Sequence, residues 1–573
     1  MRTQLSSSWK RILKRVDSMV ESQRMIENGL QSSSQENKQS RNHGSLPASS
    51  TEYVNLLEKL QNEERNLAFD TAAIANASAT ERHAAAILEN IRQQERERLK
   101  PVLSDHFLAN IDHINNGSDL MHVSRRLPKG AHLHCHFNTC LHPSFLIGEA
   151  RDIKCMFIRC TSSLASQEDF KTAFVSFSVL RDDTESSDIF DPVYEPLSWM
   201  RYSHFREKFP AEKLGDVEAW LARKAIINVQ DAHAPNQTID GVWDLFNRST
   251  QMMKGLFNYE SAFRNYIGEA IQSFLDDGIM YAEVRPNFFD KSIPSDDGER
   301  QLDHRAWMVI IREEVAKKMK ELDEVGKGGH FRGIKVIYCA PRSIKKEDMT
   351  WCLNDCIALK QEFPDLICGF DMVGCEGRGN PIRFYIDELL QFRSDCISLC
   401  LDIPFIFHAG ETLESGSSTD NNLFDAILLD SKRIGHGYAL PRHPKLMELC
   451  RERGIALEIC PISNEVLHLC SSIQGHVLPT LLANSVPCTI NSDNPAYFSS
   501  SLSHDFYQVM FAFDSMTLFG WKVLAEWSIE HSCLETEEKN KAQNFWSQEW
   551  VSFCQWIIDE YGSRYDNGQK EAS

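Results

Sequence analysis

Residues 404–459 read PFIFHAGETLESGSSTDNNLFDAILLDSKRIGHGYALPRHPKLMELCRERGIALEI. Three short apolar runs, beginning near 404, 432 and 455, each end in a polar or glycine-containing turn, and amphipathic stretches separate them. A strand that feeds a helix that feeds another strand is a βα unit, and such units place their strands in parallel. The pattern continues in both directions. AHLHCHF near 131, IMYAEVRP near 279, GIKVIYCAP near 333 and LICGFDMVG near 366 precede it, and PCTINSDNP near 487 follows it. Eight such strands predict an α/β fold, a closed (β/α)₈ barrel of the TIM type.

Around this barrel, predicted over residues 125–560, the chain carries additions. The interval between the first and second strands, about 150–275, is too long for one crossover helix; its polar runs (LRDDTESSD) and aromatic-rich segments predict an inserted subdomain over the barrel mouth. Residues 51–124 are rich in Ala, Leu, Glu, Gln and Arg at helical spacing and predict a helical extension, a candidate homodimer surface. Residues 1–30 suit a short amphipathic helix, while 31–50 are polar and serine-rich, so 1–50 is expected to be largely disordered. From Phe506 onward helices complete the barrel, LFGWKVLAEWSIEHSCL among them, and 561–573 form a polar tail.

Composition narrows the function classes. Against 61 Lys+Arg stand 81 Asp+Glu, a net charge of -20 that repels nucleic acid but leaves an uncharged nucleoside unaffected. No stretch calls for a membrane. Seventeen cysteines without regular short spacing fit buried thiols better than a disulfide scaffold or a cysteine-type zinc site. The first twenty residues lack the continuous apolar run of a signal peptide, which points to the cytoplasm. Sequons at Asn76, Asn116, Asn236 and Asn247 point weakly toward secretion.

Residues that bind metals or move protons recur at the C-terminal ends of five predicted strands, where a TIM-type barrel gathers its site. His134 and His136 share one face of their strand, and His132 has the same parity, so spacing alone does not choose the pair. His408 ends PFIFH, Glu411 follows on the turn, His436 occupies the equivalent place in RIGH, and Asp493 ends TINSD before Pro495. Each alone reads as an ordinary strand-end residue or turn cap. Together, three imidazoles and one carboxylate suit a catalytic Zn²⁺, one per chain, with a coordination position left for water. Glu411 and His436 are the groups available to move protons.

The motifs LPKGAHLHCH, GFDMVG, FHAGET, RIGHGYAL, EICPISNEVL and NSDNPAYF, in this order, resemble those of the adenosine deaminases, and most of all the adenosine-deaminase-related growth factors. The resemblance runs from about residue 125 to 530. It implies a zinc barrel that hydrolyses adenosine or 2'-deoxyadenosine to inosine or 2'-deoxyinosine and ammonia. It also implies that His134, His136, His408 and Asp493 are the ligands, that Glu411 protonates purine N1, and that His436 orients or deprotonates the attacking water, which Asp493 also contacts. Gly374 is expected to bring backbone close to the purine, and Trp243 to lie on the ribose side. Three positions depart from the pattern, all on substrate contacts: Asn494 and Asn138 stand where aspartates are usual, and Pro341 where some relatives have histidine. An amide at 494 can still donate to purine N7.

Three alternatives remain beside adenosine deamination. The first is deamination of another aminopurine, motivated by those three departures, with AMP disfavoured for want of a basic cluster. The second is a growth-factor-like binding protein of weak activity; separately, the resemblance implies secretion as the alternative location, since that branch is often secreted. The third is a two-metal amidohydrolase, disfavoured because LICGFDMVG lacks a bridging lysine.

Overall fold

The computed structural model describes residues 46–99 and 106–566. The expectations for residues 1–45 and for the end of the tail lie outside them. The chain forms two compact units, one ending at Leu67 and the other starting at Ala68. The described part of the first contains a helix, Ser50–Leu67.

The second unit contains all eight expected strands: β1 Gly130–His136, β2 Ile279–Arg285, β3 Ile334–Pro341, β4 Ile367–Val373, β5 Ile406–Ala409, β6 Arg433–His436, β7 Ala456–Ile459 and β8 Cys488–Ile490. They form two parallel four-stranded sheets, β1-β2-β3-β4 and β5-β6-β7-β8. Parallel bridges join the sheets at both edges. Phe370 pairs with Phe405, and Cys135 pairs with Asp493. The second junction is tied by His136 N–H on Asp493 O at 3.0 Å and Asp493 N–H on His134 O at 3.1 Å. The ring of eight strands is thereby complete. Strands β2 and β4 are buried along their whole length, as expected where helices cover a parallel sheet outside and side chains fill it inside.

Between β1 and β2 the chain builds a three-stranded antiparallel sheet (Met156–Cys160 between Val175–Val179 and Met200–Arg201) and several helices. The helix Ile239–Phe257 matters most for the site. Thr238 caps it by accepting the N–H of Gly241, and Trp243, Phe246, Asn247, Thr250 and Lys254 follow at helical spacing along one face. The late apolar segment forms the helix Leu518–Glu530, which packs beneath β1. A Cβ at Gly130 would fall 2.5 Å from Ser528 Oγ and 2.7 Å from Ala525 O, and the backbone there has φ +76, so glycine is required.

The helix Ala79–Leu99 is fastened to the closing helices through Glu81, which accepts from Lys522 Nζ at 2.6 Å and Trp550 Nε1 at 2.8 Å. Burial alone would raise this carboxyl, but bonds from Lys522, Ser78 and Trp550 bring it down to about 2. A depressed folded value means stability that is complete above the unfolded value of 4.5 and drains away as pH falls toward 2. Glu81→Gln is expected to lower unfolding free energy at pH 7 by about 1–3 kcal/mol. In urea titrations the gap to the unaltered protein is expected to shrink between pH 5 and 3; a gap that stays constant would show that the carboxylate charge contributes nothing.

Among the described residues no helix is long and apolar enough to cross a membrane. The cysteines all carry free thiols, most of them buried.

Candidate active site

Strands β1, β5 and β6 end in His136, Ala409 and His436, and the turn after β8 carries Asp493. These ends share one rim of the barrel. His134, His136, His408 and Asp493 each place one donor atom within 4.8 Å of the others. Asp493 Oδ1 is 3.4 Å from His134 Nε2 and 3.2 Å from His136 Nε2. His132, which parity could not separate from its neighbours, is committed elsewhere: its Nε2 accepts the N–H of Ser492 at 3.1 Å and its ring lies edge-on to Phe274.

A layer of buried charge fixes the ring orientations. His134 Nδ1 donates to Glu458 Oε2 at 2.8 Å, and His408 Nδ1 donates to Asp371 Oδ2 at 2.7 Å. Each bond leaves Nε2 as the free nitrogen, the tautomer a metal ligand needs. His134 Nε2 is buried without a hydrogen-bond partner, which would be costly unless something else occupies its lone pair. Arg285 ties the two carboxylates together, with Nε 3.0 Å from Asp371 and Nη2 2.5 Å from Glu458, while Nη1 donates to Leu133 O. Arg433 joins Glu458 to Glu283. Asp371, Glu283, Glu458 and Asp493 are thus four buried carboxylates set against two guanidiniums. The two negative charges left over are what a divalent cation between the donors would balance. On donor type, orphaned nitrogen and charge alike, these residues fit one metal ion.

Local backbone serves this convergence. His436 and Asp493 adopt left-handed conformations, φ +59 and +57, at a cost of about 1–3 kcal/mol for a non-glycine residue. A Cβ at Gly435 would press to 3.0 Å of His134 Cε1 and 3.2 Å of His408 Cα, so glycine lets the β6 backbone pass that ring without displacing it.

Beside the donors stand two further titratable groups. Asn464 Nδ2 donates to His436 Nδ1 at 3.1 Å, which leaves the ring proton on Nε2, 3.5 Å from Glu411 Oε1. Burial holds His436 well below its ordinary value, so the ring is neutral. Burial raises the Glu411 carboxyl well above the usual range; the Asp493 and Glu376 carboxylates add to the effect and Arg342 opposes it. The surroundings of Glu411 thus favour the protonated form of its carboxyl. Ser463, beside Asn464 on the helix Pro461–Val466, donates to Asp493 Oδ2 at 2.7 Å.

A cavity of about 370 Å³ opens onto these groups, and every expected substrate residue lines it: Asn138, Trp243, Gly374 and Asn494, together with Pro341. Gly374 has φ +102, a conformation that exposes backbone to the cavity. Asn494 Nδ2 donates to Asp493 Oδ1 at 2.7 Å, so one of its two N–H groups is already engaged. Asn138 Nδ2 lies 3.5 Å from Tyr497 Oη. His134 sits beneath the cavity rather than in its wall.

The motifs assign no role to several contributors. Arg285, Asp371, Arg433 and Glu458 are charges inside otherwise apolar strands, and that anomaly is the signal that marks them. Phe246, Asn247 and Thr250 reach the cavity from the inserted segment on helical spacing that any surface helix shows.

The adenosine deaminase family description matches residues 227–545. The chain is 29% identical over 472 residues to adenosine deaminase 2-A of Danio rerio, covering 81% of this chain and 87% of the relative. It is 30% identical over 461 residues to an adenosine deaminase of Phlebotomus duboscqi, covering 80% and 82%. Among solved structures, an amidohydrolase of Burkholderia ambifaria with bound Zn superposes with a TM-score of 0.51 at 14% identity, covering 77% of this chain and 94% of that one. At that identity the likeness speaks for the shared fold. Sequence similarity along four fifths of the chain, on a barrel whose rim gathers three imidazoles and a carboxylate, makes this protein a member of the adenosine deaminase family.

Proposed function

We propose that the protein is a hydrolase that removes the 6-amino group of adenosine or 2'-deoxyadenosine, converting nucleoside and water to the 6-oxo nucleoside and ammonia. The convergence of His134, His136, His408 and Asp493 beside Glu411, whose carboxyl burial pushes up, carries this reading. The donor set, three imidazoles and a carboxylate, favours zinc, whose Lewis acidity makes water nucleophilic at neutral pH.

The residues divide the remaining work. Glu411 places its proton where purine N1 can take it, which withdraws electrons from C6 and prepares it for attack. His436, with its proton on Nε2, directs a donor toward the attacking oxygen and holds it to one face of the ring. Asp493, its Oδ2 fixed by Ser463, accepts from the same side. Backbone at Gly374 and the second N–H of Asn494 meet the purine, with Trp243 and Asn138 toward the ribose.

The wall of the cavity favours a nucleoside over its phosphate. Lys254 is paired with Asp290, Arg378 with Asp240 and Asp244, and Arg285 with Asp371 and Glu458. These cations already have carboxylate partners, and Arg342, the other cation of the wall, faces Glu376 at 3.8 Å. A zinc-loaded sample given adenosine, 2'-deoxyadenosine, adenine and AMP is expected to release ammonia from the two nucleosides. For AMP, kcat/KM is expected to fall on the order of 10–100-fold below adenosine. Release from adenine alone would reassign the substrate, and release from none of them with zinc bound would refute the reading.

A further inference from the structure

Glu376 is a fully buried carboxylate that no motif singles out, two residues past Gly374 on the turn after β4. Its partners lie on a different turn. Oε1 accepts the backbone N–H of Glu411 at 2.8 Å, and Oε2 accepts that of Gly410 at 3.2 Å and Asn422 Nδ2 at 2.6 Å. The same turn is gripped at its start by Arg342, whose Nη2 donates to His408 O at 2.8 Å and to Met372 O at 3.0 Å; Arg342 Nη1 lies 3.8 Å from Glu376 Oε2. Asn422 is itself fixed by the N–H of Ile382 on its Oδ1 at 2.8 Å.

The Glu411 side chain has little to hold it directly. Its closest ion-pair partner is His436 Nε2 at 3.5 Å, too far for a strong bond. The position of its carboxyl is therefore inherited from its backbone, and that backbone hangs on Glu376. On the reading of Glu411 as proton donor, we infer that Glu376 is a positioning residue for the deamination. It locks the turn bearing Glu411 to the turn bearing Gly374, and so sets the distance between the group that seats the purine and the group that protonates it. The Glu376 carboxylate also adds to the upward shift of the Glu411 carboxyl, after burial and Asp493.

Glu376→Gln keeps the shape but turns an amide donor toward either the Glu411 N–H or the Gly410 and Asn422 donors. The expected result is a 10–100-fold loss in kcat for adenosine, with KM changed less than about threefold and one zinc per chain retained. Hydrogen exchange at the Gly410 and Glu411 amides is expected to quicken in the variant. The double variant Glu376→Gln/Asn422→Asp, which returns a carboxylate to the other side of the pair, is expected to recover part of kcat and guards against a folding defect. A generally weakened fold would instead lower zinc content along with kcat and would not respond to the second substitution, which would overturn the inference. Unchanged kcat, or unchanged exchange at both amides, would overturn it equally. If the unaltered protein releases no ammonia, the functional reading fails, while the exchange comparison still decides whether Glu376 anchors the turn.

Discussion

Glu411→Gln is expected to reduce kcat for adenosine by about 10²–10⁴-fold while zinc content stays at one per chain. Glutamine fills the same space and its amide can still hydrogen-bond to purine N1, so seating of the ring, read as KM or as inosine binding, is expected to change little. What it cannot do is give up a proton, and without that transfer C6 stays poorly electrophilic. Glu411 is suited to the task because burial and the Asp493 and Glu376 carboxylates raise its carboxyl well above the range of an exposed glutamate, which favours the proton-bearing form. Steady-state kinetics with metal analysis on the same sample decide the point. A variant with kcat within a few-fold of the unaltered enzyme would move the proton donor elsewhere, and a loss matched by loss of zinc would make Glu411 part of the metal's support.

Glu458→Gln is expected to damage both stability and metal affinity, because one carboxylate serves three partners. Burial alone would raise Glu458, yet Arg285, Arg433 and the His134 ring hold it well below the usual carboxylate range. Neutralising it leaves Arg285 with Asp371 and Arg433 with Glu283 as the one remaining carboxylate partner of each, and both guanidiniums are fully buried. Loss of one partner from a buried charge network costs about 3–5 kcal/mol. The His134 Nδ1 bond to a charged acceptor is lost as well, and changes at such supporting residues weaken metal binding about 10–100-fold. Urea unfolding and competition with a chelator measure the two effects separately. A variant that keeps its zinc affinity would show that Glu458 supports the barrel and not the ligand.

The barrel is legible in the sequence because each strand is a short apolar run closed by a turn, and all eight runs become strands. The rim is legible because polar residues at the ends of buried strands stand out. Parity could not separate His132 from His134 and His136, since that choice depends on Ser492 arriving from the far end of the chain to occupy the His132 ring. The supporting charges were in view, Asp371 within GFDMVG and Glu458 at the head of EICPISNEVL. Arg285, which joins them, comes from a strand 86 residues before Asp371 and 173 before Glu458, and periodicity carries no information about which buried charges meet. The cavity wall is least legible, because Phe246, Asn247 and Thr250 belong to an inserted helix whose position over the rim is set by tertiary packing.

Three imidazoles and a carboxylate gathering a single cation are the centre of the proposed chemistry. Anomalous diffraction at the zinc edge, from crystals of protein purified without chelator, tests this most directly. The predicted result is one peak at the rim, about 2.0–2.2 Å from Nε2 of His134, His136 and His408 and from a carboxylate oxygen of Asp493. A peak among other side chains, or none at that position under zinc-replete conditions, would contradict it.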